Sequence, residues 1–122
     1  MIVGIGTDII EVARIEKSMK SDAFKLRVFT EKEQKYCDAK KTFAVSYAAR
    51  YAAKEAFFKA LGTGWRGDLK FTDVEVLNDD LGKPFFELHG EALNRIKALN
   101  AMAHLSLSHI SELAVAYVVI EK

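Results

Sequence analysis

The chain has 122 residues, 50% of them hydrophobic and 29% charged, and its 18 basic and 17 acidic side chains leave a formal net charge of +1. This length suits one compact domain over residues 1–122, and the balanced charge gives no reason to expect nucleic acid or a membrane as a partner. The single cysteine excludes an internal disulfide, and the N-terminal stretch lacks the basic segment and unbroken apolar run of a secretory signal. We therefore expect a cytoplasmic protein.

Apolar spacing predicts one strand followed by four helices in the first half of the chain. Thr30 and Glu33 have the spacing of a capping box, and Leu26 is one of the apolar residues expected to anchor the preceding helix. Gly62 stands where a left-handed C-terminal cap belongs. The predicted segments are a strand at 2–9, short helices at 11–20, from 21 and from 30 to about 38, and one long helix at about 42–61.

The second half of the chain has the pattern of strands joined by hairpins. Apolar runs flank the turn-rich segment 78–84, a helix is expected at about 90–99, and two further strands at 103–108 and 113–120 meet at a turn. Strands clustered in this way favour an α+β fold. In it, the long helix packs across a mainly antiparallel sheet.

The first strand carries two glycines and an aspartate on one face. In an extended strand Gly4, Gly6 and Asp8 point to the same side, and Ile5 and Ile9 point to the other. Glycines are tolerated in a strand where another backbone, a side chain or a ligand comes close. The strip is therefore either a packing groove for the long helix, with Asp8 capping the next helix, or part of a ligand site. A dinucleotide-binding loop is rejected, because it needs a third glycine where isoleucine stands.

The long helix is unusually charged. Arg50 and Lys54 lie one turn apart, which is unfavourable unless an anion lies between them, and Glu55 and Lys59 have the spacing of a helical ion pair. One interpretation is a solvated face with a weak surface pair. The other joins Asp8 to this helix in a site for Mg²⁺ and a polyphosphate, because Mg²⁺ takes carboxylate and phosphate oxygens while cations hold the remaining phosphate charge. Spacing alone leaves open whether Asp8 and Glu55 meet.

Two other reactive residue types receive ordinary interpretations. Ser108 beside His109 suggests a nucleophile and its base, but neighbours on a strand point to opposite faces and no acidic partner is evident, so a serine hydrolase is disfavoured. Cys37 is expected to be buried or inert.

Six sequence segments together carry a resemblance to a known family. They are GIGTDIIE at 4–11, RI at 14–15, FTEKE at 29–33, RYAAKEAFFKALGTG at 50–64, GKP at 82–84 and LSLSH at 105–109. In this order and spacing they resemble the bacterial holo-acyl-carrier-protein synthase family, over nearly the whole chain. The most specific parts are the early aspartate and the Lys-Glu-Ala helix.

The resemblance implies an enzyme of fatty acid biosynthesis that moves 4′-phosphopantetheine from coenzyme A to a serine of acyl carrier protein. It implies the 4′-phosphopantetheinyl transferase fold and a homotrimer with active sites at subunit interfaces. Asp8 and Glu55 would ligate Mg²⁺, and they and Lys59 are the expected catalytic residues, with Glu55, a metal-bound water or Asp8 as the base. Arg14 would meet acidic residues of the carrier protein. The residues expected to bind coenzyme A are Arg50, Lys54, Lys59, Gly62, Gly82, Lys83, Pro84 and His109.

Within that set, Arg50 and His109 are expected at the 3′-phosphate, and Gly82 to Pro84 beside the adenine. The chain departs from the family pattern at Ile110 and Leu113, close to His109. Two rival functions stay open on the residues alone. One is a non-catalytic binding module, and the other is a small acyl-coenzyme A thioesterase that needs no Mg²⁺.

Overall fold

The computed structural model describes residues 1–122, with five α-helices and five β-strands in the predicted order. They are β1 (Ile2–Glu11), α1 (Val12–Ser18), α2 (Asp22–Val28), α3 (Glu31–Asp38), α4 (Phe43–Ala60), β2 (Val74–Asn78), β3 (Pro84–Leu88), α5 (Gly90–Ala98), β4 (Met102–His109) and β5 (Leu113–Glu121), with a short 3-10 helix at Phe71–Asp73. The longest helix, α4, has 18 residues, and the others have seven to nine. None of them has the length and apolar character that crossing a membrane requires.

All strand pairs are antiparallel, and they form two separate sheets. The larger has the order β1-β5-β4, and the smaller is the β2-β3 hairpin. The sequence predicted one mainly antiparallel sheet, but no ladder joins β3 to β4, which are separated along the chain by α5. The structure is therefore α+β, with α4 against the larger sheet and the hairpin beside it.

Two glycines of β1 allow that strand to touch the backbone of α4. A Cβ atom added at Gly4 would lie 1.9 Å from the carbonyl oxygen of Ala60, and one added at Gly6 would lie 1.9 Å from that of Ala56. Two strand residues advance by about 6.6 Å and four helix residues by about 6 Å, so the contact repeats in step along both elements. The packing-groove interpretation of the glycines is confirmed.

Asp8 continues the glycine face but does not cap the next helix. The residue at the N-terminal cap of α1 is Glu11, and no side chain donates or accepts a capping hydrogen bond there. That part of the packing interpretation is wrong. The Asp8 carboxylate is instead directed to α4, where Lys59 donates a hydrogen bond to it.

The short helices follow their sequence signals closely, with one exception. Thr30 and Glu33 form the predicted capping box, and the Ser21 side chain caps α2 by accepting from the backbone of Phe24. Leu26, however, is 68% exposed, so its prediction as an apolar anchor is wrong. Side chains two positions apart lie about 200° apart around a helix, and α2 turns Phe24 and Val28 inward and Leu26 outward.

Lys54 lies in the core, which corrects its prediction as a coenzyme-binding residue. Its ammonium group is fully buried and donates to Glu33 Oε1 at 2.8 Å and to the carbonyl oxygens of Phe71 and Val74 at 2.9 Å. Glu33 also accepts from the backbone nitrogens of Thr30 and Val76. Burial lowers the pKa of Lys54, and the carboxylate of Glu33 opposes that shift. With its three donor positions occupied by protein, Lys54 joins α4 to α3 and β2.

We expect Lys54→Met to lower the free energy of unfolding by about 3–5 kcal/mol, because it leaves the Glu33 carboxylate buried without its cation. The matched variant Lys59→Met removes a half-exposed lysine from the same helix and should cost less than about 1 kcal/mol. Urea denaturation followed by circular dichroism at equal protein concentration measures both. Equal losses in the two variants would contradict the structural role of Lys54.

Candidate active site

The C-terminal half of α4 brings two carboxylates and a lysine together beside β1. Lys59 Nζ lies 3.0 Å from both Asp8 Oδ1 and the carbonyl oxygen of Thr7, to which it donates. The β1–α4 contact produces this arrangement, because Asp8 follows Gly6 on the face that α4 covers. Asp8 is thereby fixed against α4 although 51 positions separate it from Lys59.

Glu55 is half-buried in the same cluster, and its pKa is raised above the ordinary value for a glutamate. Burial is the main cause, and the negative charge of Asp8 adds to it. The Tyr51 hydroxyl and the charges of Lys59 and Arg14 act in the opposite direction. Asp8 and Glu55, which the sequence could not connect, are therefore close enough to repel each other, and Arg14 of α1 faces them.

The surface-pair interpretation of Glu55 and Lys59 is wrong. The carboxylate that Lys59 contacts belongs to Asp8, and no ion pair within 4.0 Å joins Lys59 to Glu55. Sequence reasoning also missed Tyr51, one turn before Glu55, whose pKa is raised by burial and by the neighbouring Glu55 carboxylate. Its signal was its i, i+4 spacing from Glu55.

A second group of residues lines a separate pocket of about 300 Å³. Four of the residues predicted to bind coenzyme A meet there, namely Arg50, Gly82, Pro84 and His109. They come from α4, the β2-β3 turn and the end of β4. The pocket has the cations and the depth to hold a phosphorylated nucleoside.

Sequence reasoning missed five polar residues of this pocket, which are Tyr36, Lys40, Thr42, Ser46 and Asn78. One signal was available for Lys40. It stands just before the N-terminus of α4, where the helix dipole disfavours cations, so a lysine there is better explained by an anion nearby. Asn78 and Tyr36 gave no such signal, because what distinguishes them is their contact with the Arg50 guanidinium, which local spacing does not show.

Two other predicted coenzyme residues lie outside the wall of this pocket. Lys83 is exposed in the turn between Gly82 and Pro84, and its backbone nitrogen donates to Asp79 Oδ1. Gly62 follows α4 with φ of 82°, which confirms the predicted left-handed cap, and its backbone nitrogen donates to the carbonyl oxygen of Lys59. The structure thus brings together some members of the predicted set and separates others.

The two groups lie on different sides of α4 and share no residue. Arg50 and Glu55 are five positions apart, which corresponds to about 140° around a helix. The acidic cluster opens beside β1 and α1, whereas the pocket opens beside the β2-β3 turn and β4. Within one chain, a ligand in the pocket has the helix between itself and the Asp8 and Glu55 carboxylates.

A third cluster consists of Glu75, Glu87 and His89, whose potential ligand atoms lie within 4.8 Å of one another. Two of these residues are already partnered, since Glu75 contacts both His89 Nε2, at 3.0 Å, and the hydroxyl of Thr30. Hydrogen bonds from these partners outweigh burial and lower the pKa of Glu75. This cluster was not predicted from the sequence.

Comparison with known proteins agrees with this geometry. A family model described as the 4′-phosphopantetheinyl transferase superfamily matches residues 4–118, a range that includes both residue groups. The chain belongs to this superfamily. A holo-[acyl-carrier-protein] synthase of Clostridium tetani is 51% identical over 123 residues, covering 99% of this chain and 97% of the relative.

Solved structures of the superfamily share the fold over the full chain. The holo-(acyl-carrier-protein) synthase of Bacillus anthracis, solved in complex with CoA (3′,5′-ADP), is 45% identical with a TM-score of 0.84, covering 100% of this chain and 98% of that one. The synthase of Helicobacter pylori, in complex with coenzyme A, is 32% identical with a TM-score of 0.84, covering 96% and 99%. The α+β fold predicted from the sequence is confirmed.

The raised pKa of Glu55 can be measured directly in this phosphopantetheinyl transferase. We expect Asp8→Asn to lower that pKa, because it removes a repelling charge, and Lys59→Met to raise it further, because it removes an attracting one. The carboxyl ¹³C shift of labelled Glu55, followed against pH in the presence of a chelator, reports both changes. Asp68→Asn, at an exposed loop carboxylate, is the control. A Glu55 pKa that does not change in Asp8→Asn would contradict the proximity of the Asp8 and Glu55 carboxylates.

Proposed function

We propose that this protein is a holo-acyl-carrier-protein synthase, which transfers 4′-phosphopantetheine from coenzyme A to a serine of apo acyl carrier protein and releases adenosine 3′,5′-bisphosphate. The observation that carries the proposal is the combination of the Asp8, Glu55 and Lys59 cluster with a separate cation-lined pocket, in a chain of this superfamily. Such a transfer needs both parts, because the nucleotide must be held while its phosphate is oriented toward the attacking serine.

The pocket would hold the 3′-phosphoadenosine part of coenzyme A. Arg50 and His109 supply positive charge or hydrogen-bond donors for the 3′-phosphate, and Gly82 and Pro84 form the wall beside the adenine. Lys83, exposed in the turn between Gly82 and Pro84, would also stand beside the adenine. Relatives solved with coenzyme A or its 3′,5′-ADP part support this assignment.

Asp8 and Glu55 would hold the Mg²⁺ ion. Burial, and after it the negative charge of Asp8, raises the pKa of Glu55, and two carboxylates completed by phosphate oxygens are a common donor set for Mg²⁺. When bound, the ion supplies charge neutralisation on the pyrophosphate oxygens of coenzyme A. Lys59, half-exposed beside Asp8, adds a cation on the same side.

The transfer then divides between these side chains. The serine oxygen of the carrier attacks the β-phosphorus of coenzyme A, the bond from that phosphorus to the bridging oxygen breaks, and adenosine 3′,5′-bisphosphate leaves. Glu55 accepts the serine proton, with Asp8 as the alternative, because a carboxylate within reach of the serine can serve as the general base. Lys59 stabilises the charge that develops on the leaving phosphate.

The carrier protein would approach over α1. Arg14 is exposed on that helix, and its charge already acts on Glu55 and Tyr51, so an acidic partner bound to Arg14 would bring its serine to the Glu55 carboxylate. Lys17 and Lys20, both exposed, extend the positive surface. Complementary charge of this kind orients partners during encounter.

A homotrimer with shared active sites would join the two residue groups. The face of the larger sheet opposite α4 is uncovered and carries exposed apolar side chains on β1 and β5, with Ile5 65%, Ile9 61% and Tyr117 56% exposed. An uncovered apolar sheet face of this kind marks an interface. Copies packed across this face would bring the pocket of one subunit to the Asp8 and Glu55 cluster of the next, which would give a complete site between neighbouring subunits.

Transfer is tested by incubating the protein with coenzyme A and apo acyl carrier protein and weighing the carrier by intact mass spectrometry. We expect the mass of one phosphopantetheinyl group to be gained with Mg²⁺ and not with chelator. Asp8→Ala and Glu55→Ala should each lower the rate by about 100-fold or more, whereas Asp68→Ala should leave it unchanged.

Each contrary result has a defined meaning. A folded protein that modifies none of several carriers would favour a binding module, and loss of acyl groups from acyl-coenzyme A without Mg²⁺ would favour a thioesterase. Transfer that survives metal removal would overturn the Mg²⁺ assignment alone.

Assembly is tested at the uncovered sheet face. We expect the protein to have the mass of three chains by light scattering after gel filtration, and Ile5→Lys to dissociate it, because a charge on this face would be buried between copies. Leu26→Lys is the matched control, since Leu26 is 68% exposed on α2, away from that face. Transfer should be lost with the trimer in Ile5→Lys, and a fully active monomer would contradict a site shared between subunits.

A further inference from the structure

Arg50 is a buried cation without an ion-pair partner. The residue is 3% exposed, and no carboxylate lies within ion-pair distance of its guanidinium group. Its Nε atom is buried with no hydrogen-bond partner. Such a charge is costly to bury unless an anion or a set of dipoles compensates it. In the pocket that Arg50 lines, a bound anion could supply that compensation, and neighbouring side chains must hold the guanidinium in place.

Asn78 holds the Arg50 guanidinium from one side. Its Oδ1 accepts a hydrogen bond from Arg50 Nη2, and its Nδ2 donates to the carbonyl oxygen of Gly82 at 3.0 Å. Asn78 ends β2 and pairs with Pro84 across the hairpin. One amide thus connects the buried cation to the turn that forms the opposite wall of the pocket.

Tyr36 holds the same guanidinium from its planar face. The Arg50 Cζ atom lies 4.2 Å from the centre of the Tyr36 ring, and the Lys40 ammonium lies 4.7 Å from the same ring. Both cations line the pocket. An aromatic face attracts cations without neutralising them, so Tyr36 can keep two positive groups at one site.

We infer that Asn78 and Tyr36 are positioning residues that orient the Arg50 guanidinium toward the 3′-phosphate of the bound coenzyme, and so set the preference for a 3′-phosphorylated nucleotide. This inference rests on the proposed function. A neutral amide and an aromatic ring suit the task, because they fix the orientation of the guanidinium while leaving its full charge for the ligand. A carboxylate at position 78 would instead pair with Arg50 and compete with the phosphate.

Binding and kinetics together test this role. Calorimetry compares adenosine 3′,5′-bisphosphate with adenosine 5′-monophosphate, and transfer assays compare coenzyme A with 3′-dephospho-coenzyme A. We expect Asn78→Ala and Tyr36→Leu each to lower the affinity for adenosine 3′,5′-bisphosphate about tenfold and to raise the KM for coenzyme A by a similar factor. The kcat, the affinity for adenosine 5′-monophosphate and the KM for 3′-dephospho-coenzyme A should stay nearly unchanged. Tyr36→Phe keeps the ring and should therefore restore most of the affinity that Tyr36→Leu loses. Asn94→Ala, at an exposed position of α5, should behave as wild type.

Asn78→Asp distinguishes positioning from a purely structural role. It keeps the shape of Asn78 and an acceptor for Arg50 but loses the donor to the Gly82 carbonyl oxygen, so a purely structural role predicts equal losses of affinity for ligands with and without the 3′-phosphate. If Asn78 positions an uncompensated charge, Asn78→Asp should lower the affinity for the 3′-phosphorylated ligand more than Asn78→Ala does, because the carboxylate repels the phosphate.

Several results would overturn the inference. One is an equal loss of affinity for ligands with and without the 3′-phosphate. Another is an unchanged KM for coenzyme A in Asn78→Ala and Tyr36→Leu. A third is a wild-type protein that does not prefer the 3′-phosphorylated nucleotide. The calorimetric comparison needs no transfer activity. A protein that binds the bisphosphate with the expected variant pattern, but modifies no carrier, would therefore refute the proposed function and uphold this inference.

Discussion

The backbone contact between β1 and α4 is the constraint on which the remaining structure depends. Only glycine at positions 4 and 6 allows the carbonyl oxygens of Ala60 and Ala56 to lie so close to the strand. Because the contact repeats in step along both elements, it also sets which residues of α4 stand beside Asp8. The two carboxylates and Lys59 meet for this reason, and not through any local sequence signal.

The three basic residues of α4 have three different environments. Lys54 is fully buried and paired with Glu33, Lys59 is half-exposed beside Asp8, and Arg50 is buried beside an amide and an aromatic ring without an acid. Burial with complete hydrogen bonding makes Lys54 a structural group, whereas the missing counter-ion leaves the charge of Arg50 available to a ligand. The function of a charged side chain is thus decided by what its neighbours already satisfy.

The separation of the acidic cluster from the pocket is the feature of the fold that bears most directly on function. One face of the larger sheet is covered by α4, while the other is open and carries exposed apolar side chains on β1 and β5. The two residue groups lie on different sides of that helix. A coenzyme bound mainly in the pocket of one copy and reacting at the carboxylates of another would be consistent with all of these features. Subunit assembly would then be part of the chemistry as well as of stability.

The sequence by itself determined the order and type of the helices and strands, because apolar spacing, the Thr30 and Glu33 capping box and the cap at Gly62 are local signals. It also identified Asp8, Arg50, Glu55 and Lys59 as the residues of interest, partly through family resemblance. Only the tertiary structure decided that Leu26 faces outward, that Lys54 is satisfied by Glu33, that Lys59 pairs with Asp8 and that Asn78 and Tyr36 hold Arg50. These outcomes depend on contacts between residues far apart in the chain and on burial, which local spacing does not specify.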